Sequence, residues 1–389
     1  MEKRIKNIDE TWNNVIQSMT KDELRQIVYE HDNYSSKVVT WAKEALKQKY
    51  GFADEDIQAI PLPEHHIVED PMTRDFLIET LREMGCHVWF DNDNLEDDGV
   101  CDISFSYMTK TFYANANNES TYVCIEKYLN SCKIEDEEEA ARVKEAINVV
   151  NDRKRVKMYY LKDEESKRLY ISCCDTFLLF PLIPNIELFL QNQLKSIFRA
   201  EKCYYNVLED LKTRNNRYEN RLENCKLRMK KERQHKEESA ITIAGQKNMN
   251  IIEGSRDLFL DTLTKISCPY QIDEEDNSIC FEYHGETFYA EADNEQSYIN
   301  IYYYSWGEIA LENVEDIGET SAIRKAINEA NWKNRVTTVF TVDEEERTMN
   351  VHGKSEILFI PEIPNLENYL LTELSRFFRA EYSVRAEMS

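Results

Sequence analysis

The seven histidines are the first candidates for acid–base or metal chemistry: His31, His65, His66, His87, His235, His284 and His352. None forms an HExxH pair, and none stands at zinc-finger spacing from paired cysteines. His65 and His66, beside Glu64, Glu69 and Asp70, could collect a metal, but adjacent side chains point different ways on most backbones. The ten cysteines are scattered without a CxxC pair, and most lie in apolar runs where a free thiol acts as a small core residue. Asp91-Asn92-Asp93-Asn94 looks like the start of a calcium loop but lacks the glycine and the glutamate that such a loop requires. Phosphate cradles need closely spaced glycines, and the nine glycines here make no GxGxxG or GxSxG. The acidic clusters at Asp91–Asp98, Glu135–Glu139, Asp273–Asp276 and Asp343–Glu346 read as solvated turns and helix N-termini. No catalytic residue, metal site or cofactor is therefore expected.

Two sets of polar residues remain. Asn148 and Asn151 recur as Asn328 and Asn331. They could be active-site amides, but they read more simply as caps or turns at a helix end, since asparagine bonds nearby backbone. The second set is aromatic. Alternation along one strand places Val123, Ile125 and Leu129 on one face and Tyr122, Cys124 and Tyr128 on the other. The corresponding strand further on places Ile299, Ile301 and Tyr303 against Tyr298, Tyr302 and Tyr304. If only the aliphatic face is covered, Tyr122, Tyr128, Tyr298, Tyr302 and Tyr304 form partner-binding platforms. Tyrosine suits that role because it offers a large contact area at low entropic cost.

The elements that position these residues come in two copies. Thr73–Leu81 (TRDFLIETL) matches Ser255–Leu263 (SRDLFLDTL), and Thr111–Ile125 (TFYANANNESTYVCI) matches Thr287–Ile301 (TFYAEADNEQSYINI). Ala146–Val156 matches Ala326–Val336, and Leu178–Glu187 matches Leu358–Glu367, both at an offset of 180. Offsets change only between blocks, where loop lengths differ. In the first copy, Phe76, Leu77, Leu81 and Met84 have helical spacing, and β-rich segments follow near 87–91, 101–107, 111–116 and 121–129. Glu135–Val150 reads as a second helix with Ala140, Val143, Ile147 and Val150 as its apolar stripe. Two strands, a turn between Pro181 and Pro184 and a long helix from Asn185 complete the unit. The expected fold class is α+β: two repeated α-β-β-β-α-β-β-α domains, each an antiparallel sheet with flanking helices. N-terminal helices and a long helical linker are added to them.

The strand trio, the AIN-x-x-N helix end (Ala146–Asn151, Ala326–Asn331), the two later strands and the closing helix together resemble the YbjN family, whose fold is that of type III secretion chaperones. The resemblance spans both repeats. It implies a bacterial protein that binds other proteins, often as a dimer, and that lacks catalysis. Two such domains in one chain, with added helical segments, depart from the family pattern.

The expected division is 1–66 N-terminal helical, 67–203 first domain, 204–249 basic linker and 250–389 second domain. In the linker, Leu208, Leu211, Asn215, Tyr218, Leu222 and Met229 fall on an a/d register, and ten Lys/Arg face three Glu between Lys212 and Lys236. The readings are a helix lying on the acidic domains of its own chain, a coiled coil that makes a homodimer, a basic arm that contacts an acidic partner, or contact with nucleic acid. The net charge of −25 argues against nucleic acid and anionic membrane as partners. No apolar stretch follows the N-terminal MEKRIKNIDETWNN and none is long enough to span a bilayer, so a cytoplasmic protein is expected. The functional expectation is a non-catalytic protein-binding scaffold. Self-assembly through the linker, or an enzyme with an unrecognised site, are the alternatives.

Overall fold

Alternating apolar residues between Asn/Asp-rich turns give strands, and residues spaced by three and four give the helices that cover them. A computed structural model describes residues 15–19, 21–29, 36–52, 72–90, 101–213, 254–273, 277–304, 306, 308–310, 317–343 and 348–388. It is a mixed α+β structure with two antiparallel sheets. Two N-terminal helices, α1 (Lys21–Tyr29) and α2 (Ser36–Tyr50), come first. The first half then runs α3 (Thr73–Glu83), β1 (His87–Phe90), β2 (Cys101–Tyr107), β3 (Lys110–Ala116), β4 (Tyr122–Tyr128), β5 (Cys132–Lys133), α4 (Glu137–Arg153), β6 (Lys157–Asp163), β7 (Arg168–Leu178) and α5 (Ile186–Thr213). The second half runs α6 (Ser255–Lys265), β8 (Tyr270–Ile272), β9 (Ile279–Tyr283), β10 (Glu286–Glu291), β11 (Tyr298–Tyr303), β12 (Glu308–Ala310), α7 (Ile317–Lys333), β13 (Thr337–Asp343), β14 (Thr348–Leu358) and α8 (Leu366–Met388).

Both halves have five strands before the middle helix, against three in the expected order and four β-rich segments in the sequence of the first copy. β5 and β12 match none of those segments, and at two and three residues they are too short to show a period in the sequence. In each sheet one long strand organises the rest. β7 pairs with β4 and β5 on one side and with β6 on the other, and β14 pairs with β11, β12 and β13 in the same way. That leaves β6 and β13 at the edges.

One face of each sheet is apolar and covered by helices. Phe105, Phe112, Val123 and Ile125 are wholly buried in the first half, as are Phe281, Phe288, Ile299 and Ile301 in the second, and α5 and α8 supply Leu190, Leu194, Leu370 and Leu374 against them. Helix ends follow local chemistry. Asp136 caps α4 by accepting a hydrogen bond from the Glu139 amide, and Asn365 does the same for the Asn368 amide at the start of α8. The N-terminal helices join the second half through Glu23, whose carboxylate accepts from the Tyr283 hydroxyl and lies 3.0 Å from His284 Nε2.

The middle of β14 approaches its neighbours closely. A Cβ on Gly353 would lie 2.5 Å from Trp306 Cζ2, 3.0 Å from Phe377 Cδ1 and 3.1 Å from Val336 Cγ1. The first half has buried Cys173 at the matching position, so the indole of Trp306 occupies room that glycine leaves. Gly353→Ala should destabilise the protein by about 1–3 kcal/mol through overpacking, read as a lower urea midpoint at unchanged slope.

Candidate binding surface

An edge strand presents backbone donors and acceptors that need partners when buried. On β6, Met158 and Tyr160 turn these groups away from β7. Asn151, from α4 of the same half, satisfies Met158: its Nδ2 donates to the carbonyl at 2.9 Å and its Oδ1 accepts from the amide at 2.7 Å. Asn328, from α7 of the other half, satisfies Tyr160 in the same way at 2.9 and 2.8 Å. The second half repeats the arrangement. Asn331 holds Thr338 at 2.9 and 2.7 Å, and Asn148 crosses to Phe340 at 3.3 Å for both bonds. The expected role of these four residues as helix caps is thus corrected. α4 and α7 end beyond them, and their amides act as short surrogate strands on two sheet edges.

The contact continues in matching pairs. Lys157 Nζ donates to the carbonyl of Asn334, just past the C-terminus of α7, and Lys354 Nζ donates to that of Asp152 near the C-terminus of α4. A cation there also meets the negative end of the helix dipole. The two lysines lie on different strands, but Lys157 pairs with Cys174 and Lys354 with Thr337, so each fills the same cross-strand position. Arg324 and Glu145 add an ion pair at 2.7 Å between α7 and α4.

This internal contact decides which tyrosines are available. Tyr122 donates to Glu373 of α8 at 2.8 Å, and Tyr298 accepts from Gln193 Nε2 of α5 at 2.7 Å. Both rings are also stacked by arginines of the opposite half, Arg335 and Arg376 on Tyr122 and Arg155 on Tyr298. Their expected role on an open platform is corrected, since both serve contact between the halves. Tyr128 (49% exposed) and Tyr304 (50%) do lie open, and Tyr302 is half-buried. Each open tyrosine meets a partner from the neighbouring strand: Tyr113 (41%) is 5.1 Å from Tyr128 and Tyr289 (39%) is 5.7 Å from Tyr304. Sequence reasoning passed over Tyr113 and Tyr289. Their signal was there, because each is the third residue of the repeated TFYA block.

The platforms differ beneath these pairs. Under the first, Glu126 accepts from Tyr159 and Ser172. Under the second, Tyr302 stacks on Tyr304 at 5.9 Å, and Tyr304 covers His352 at 4.9 Å. Burial, reinforced by Lys354, pulls the His352 pKa down to about 4. No group of three or more metal-binding side chains occurs among the described residues. The pair His65 and His66 lies outside them. Of the expected coiled-coil seam, Leu208 is buried and Leu211 half-buried within α5, where they pack on the apolar core of their own chain. Asn215, Tyr218, Leu222 and Met229 lie outside the described residues.

Two outcomes follow from this geometry. Asn328→Ala leaves the Tyr160 amide and carbonyl without their partner in a half-buried contact. It should cost about 1–3 kcal/mol and speed hydrogen exchange at the Tyr160 amide, while Asn328→Asp keeps the acceptor and loses the donor. His352 is held neutral in the folded state, whereas the unfolded chain takes up a proton near pH 6.5. Its contribution is therefore complete above pH 6.5 and is lost progressively down to about pH 4, a loss of about 2–4 kcal/mol. A His352→Leu variant should show a flatter acid limb in stability measured against pH.

Compared with known proteins, the chain matches no protein-family model, no curated protein and no solved structure.

Proposed function

We propose that this chain is a non-catalytic protein-binding scaffold built from two copies of one YbjN-like, type III secretion chaperone-like domain, and that the pairing of the copies does within one polypeptide what a homodimer does with two. The support for the pairing is reciprocal: Asn148 reaches Phe340 as Asn328 reaches Tyr160, which is the pattern of an isologous contact. The support for binding is the pair of tyrosine platforms. Tyr113 with Tyr128, and Tyr289 with Tyr304, stand at matching repeat positions on sheet faces fixed by the covered side. Tyrosine pairs on a rigid sheet offer contact area with little ordering cost, and two linked platforms add avidity without new contacts.

The client is a protein, and the negative charge of the chain favours basic or amphipathic segments over nucleic acid. No helix among the described residues is long and apolar enough to cross a membrane, which fits a client met in the cytoplasm. Burial of Leu208 favours the client-binding reading over self-assembly through the linker.

The test replaces Tyr113, Tyr128, Tyr289 and Tyr304 together with alanine. These side chains are 39–50% exposed, so the variant should stay folded, with a modest drop in its thermal melt from the contacts of Tyr304 with Tyr302 and His352. It should lose at least about tenfold in affinity for a client isolated with the native chain, as expected when central aromatic contacts are removed. Undiminished binding by the folded variant would count decisively against the platform.

A further inference from the structure

The two matching contacts between the halves differ in charge. Arg155 and Arg335 occupy equivalent positions just before the edge strands β6 and β13, and each lies over a tyrosine of the other half, at 5.3 Å from Tyr298 and 3.9 Å from Tyr122. Around Arg155 the charge is answered. Asp175 is 2.6 Å away, Glu356 is 3.8 Å away, and Gln193 accepts a hydrogen bond. At the equivalent positions around Arg335 the sequence places Ser355 for Asp175 and Thr176 for Glu356. Glu373 replaces Gln193, but it already pairs with Arg376 and accepts from Tyr122, and the first half has Ser196 where Arg376 stands. The first cluster thus combines one arginine with two carboxylates, and the second combines two arginines with one.

Among the described residues Arg335 makes neither an ion pair nor a hydrogen bond. Desolvation by neighbouring protein, together with repulsion from Arg376, pulls its pKa down to about 10. The residue as a whole is nevertheless exposed to solvent. Such a partly desolvated but reachable guanidinium differs from a fully hydrated one, because weakened solvation strengthens its pairing with an anion. Cys124 stands beside Thr176 across the β4–β7 pair. Its thiol, drawn down to about 7 chiefly by a hydrogen bond with Cys174, supplies no more than a partial charge at neutral pH.

We propose that the contact between the halves binds a small oxyanion, of carboxylate or phosphate type, on the exposed Arg335 guanidinium beside Tyr122. The anion takes the part that Asp175 plays toward Arg155, with the hydroxyls of Thr176 and Ser355 as further donors. The site is separate from the tyrosine platforms and stands whether or not those bind a client.

The internal comparison supplies its own test. Inorganic phosphate and acetate are titrated into the full chain at fixed ionic strength, with chloride as the reference, and binding is read by calorimetry and by the thermal melt. The native chain should show saturable binding of at least one of the two anions, and which one binds assigns the group to phosphate or carboxylate type. Arg335→Gln should weaken it about tenfold or more, the loss expected for a charge-assisted hydrogen bond. Ser355→Asp rebuilds the counter-ion found at Asp175, so it should melt higher without ligand and no longer respond to the anion. It gives a reading even if the arginine variant fails to fold. No saturable response above chloride in the native chain overturns the proposal, as does an unchanged response in Ser355→Asp.

Discussion

A sheet edge that is to be buried needs something to bond with, and here that need is met by side-chain amides. One asparagine amide carries a donor and an acceptor with the spacing of a peptide group, so it can close one residue of an edge strand. Asn151 and Asn331 close the nearer residue of their own half, and Asn148 and Asn328 close the next residue of the opposite half. The three-residue interval between the asparagines on each helix sets both on one helical face, and the two-residue interval along the strand sets both acceptors on one edge. Joining of the halves rests on this match of periods. It also removes two open edges that would otherwise template pairing with other chains.

The same contact uses unlike side chains at matching sequence positions. Lys157 and Lys354 lie on different strands, yet both reach the end of a helix in the opposite half, because a cross-strand pair shares one location on the sheet. The arginine clusters differ in charge. One has an excess carboxylate and the other an excess arginine, so matching sequence positions present unlike electrostatics. The shared geometry supports the joining, and the differing side chains leave one cluster with a net positive charge.

The tyrosine faces illustrate a competition for the same strand surface. The first outward-facing tyrosine of β4 and of β11 lies next to the opposite half and is held by glutamate, glutamine and arginine. The last lies at the far end of the strand or just past it, where a tyrosine of β3 or β10 lies beside it and solvent covers both. Position along the strand, and not residue type, separates contact within the chain from surface offered to a partner.

The mixed α+β class, the alternation that buries Val123, Ile125, Ile299 and Ile301 and the apolar stripe of α4 were all legible in the sequence, because each depends on local periodicity. The short strands β5 and β12 were not legible, since they exist only by pairing with β7 and β14. The asparagine pairs were visible as a motif but their role was not, because nothing local distinguishes an amide that caps its own helix from one that bonds a strand 168 or 192 residues away. Likewise Arg155 and Arg335 look alike in sequence. Only tertiary structure shows that one meets carboxylates and that the other shares a tyrosine ring with a second arginine, since those neighbours come from distant elements and from both halves of the chain.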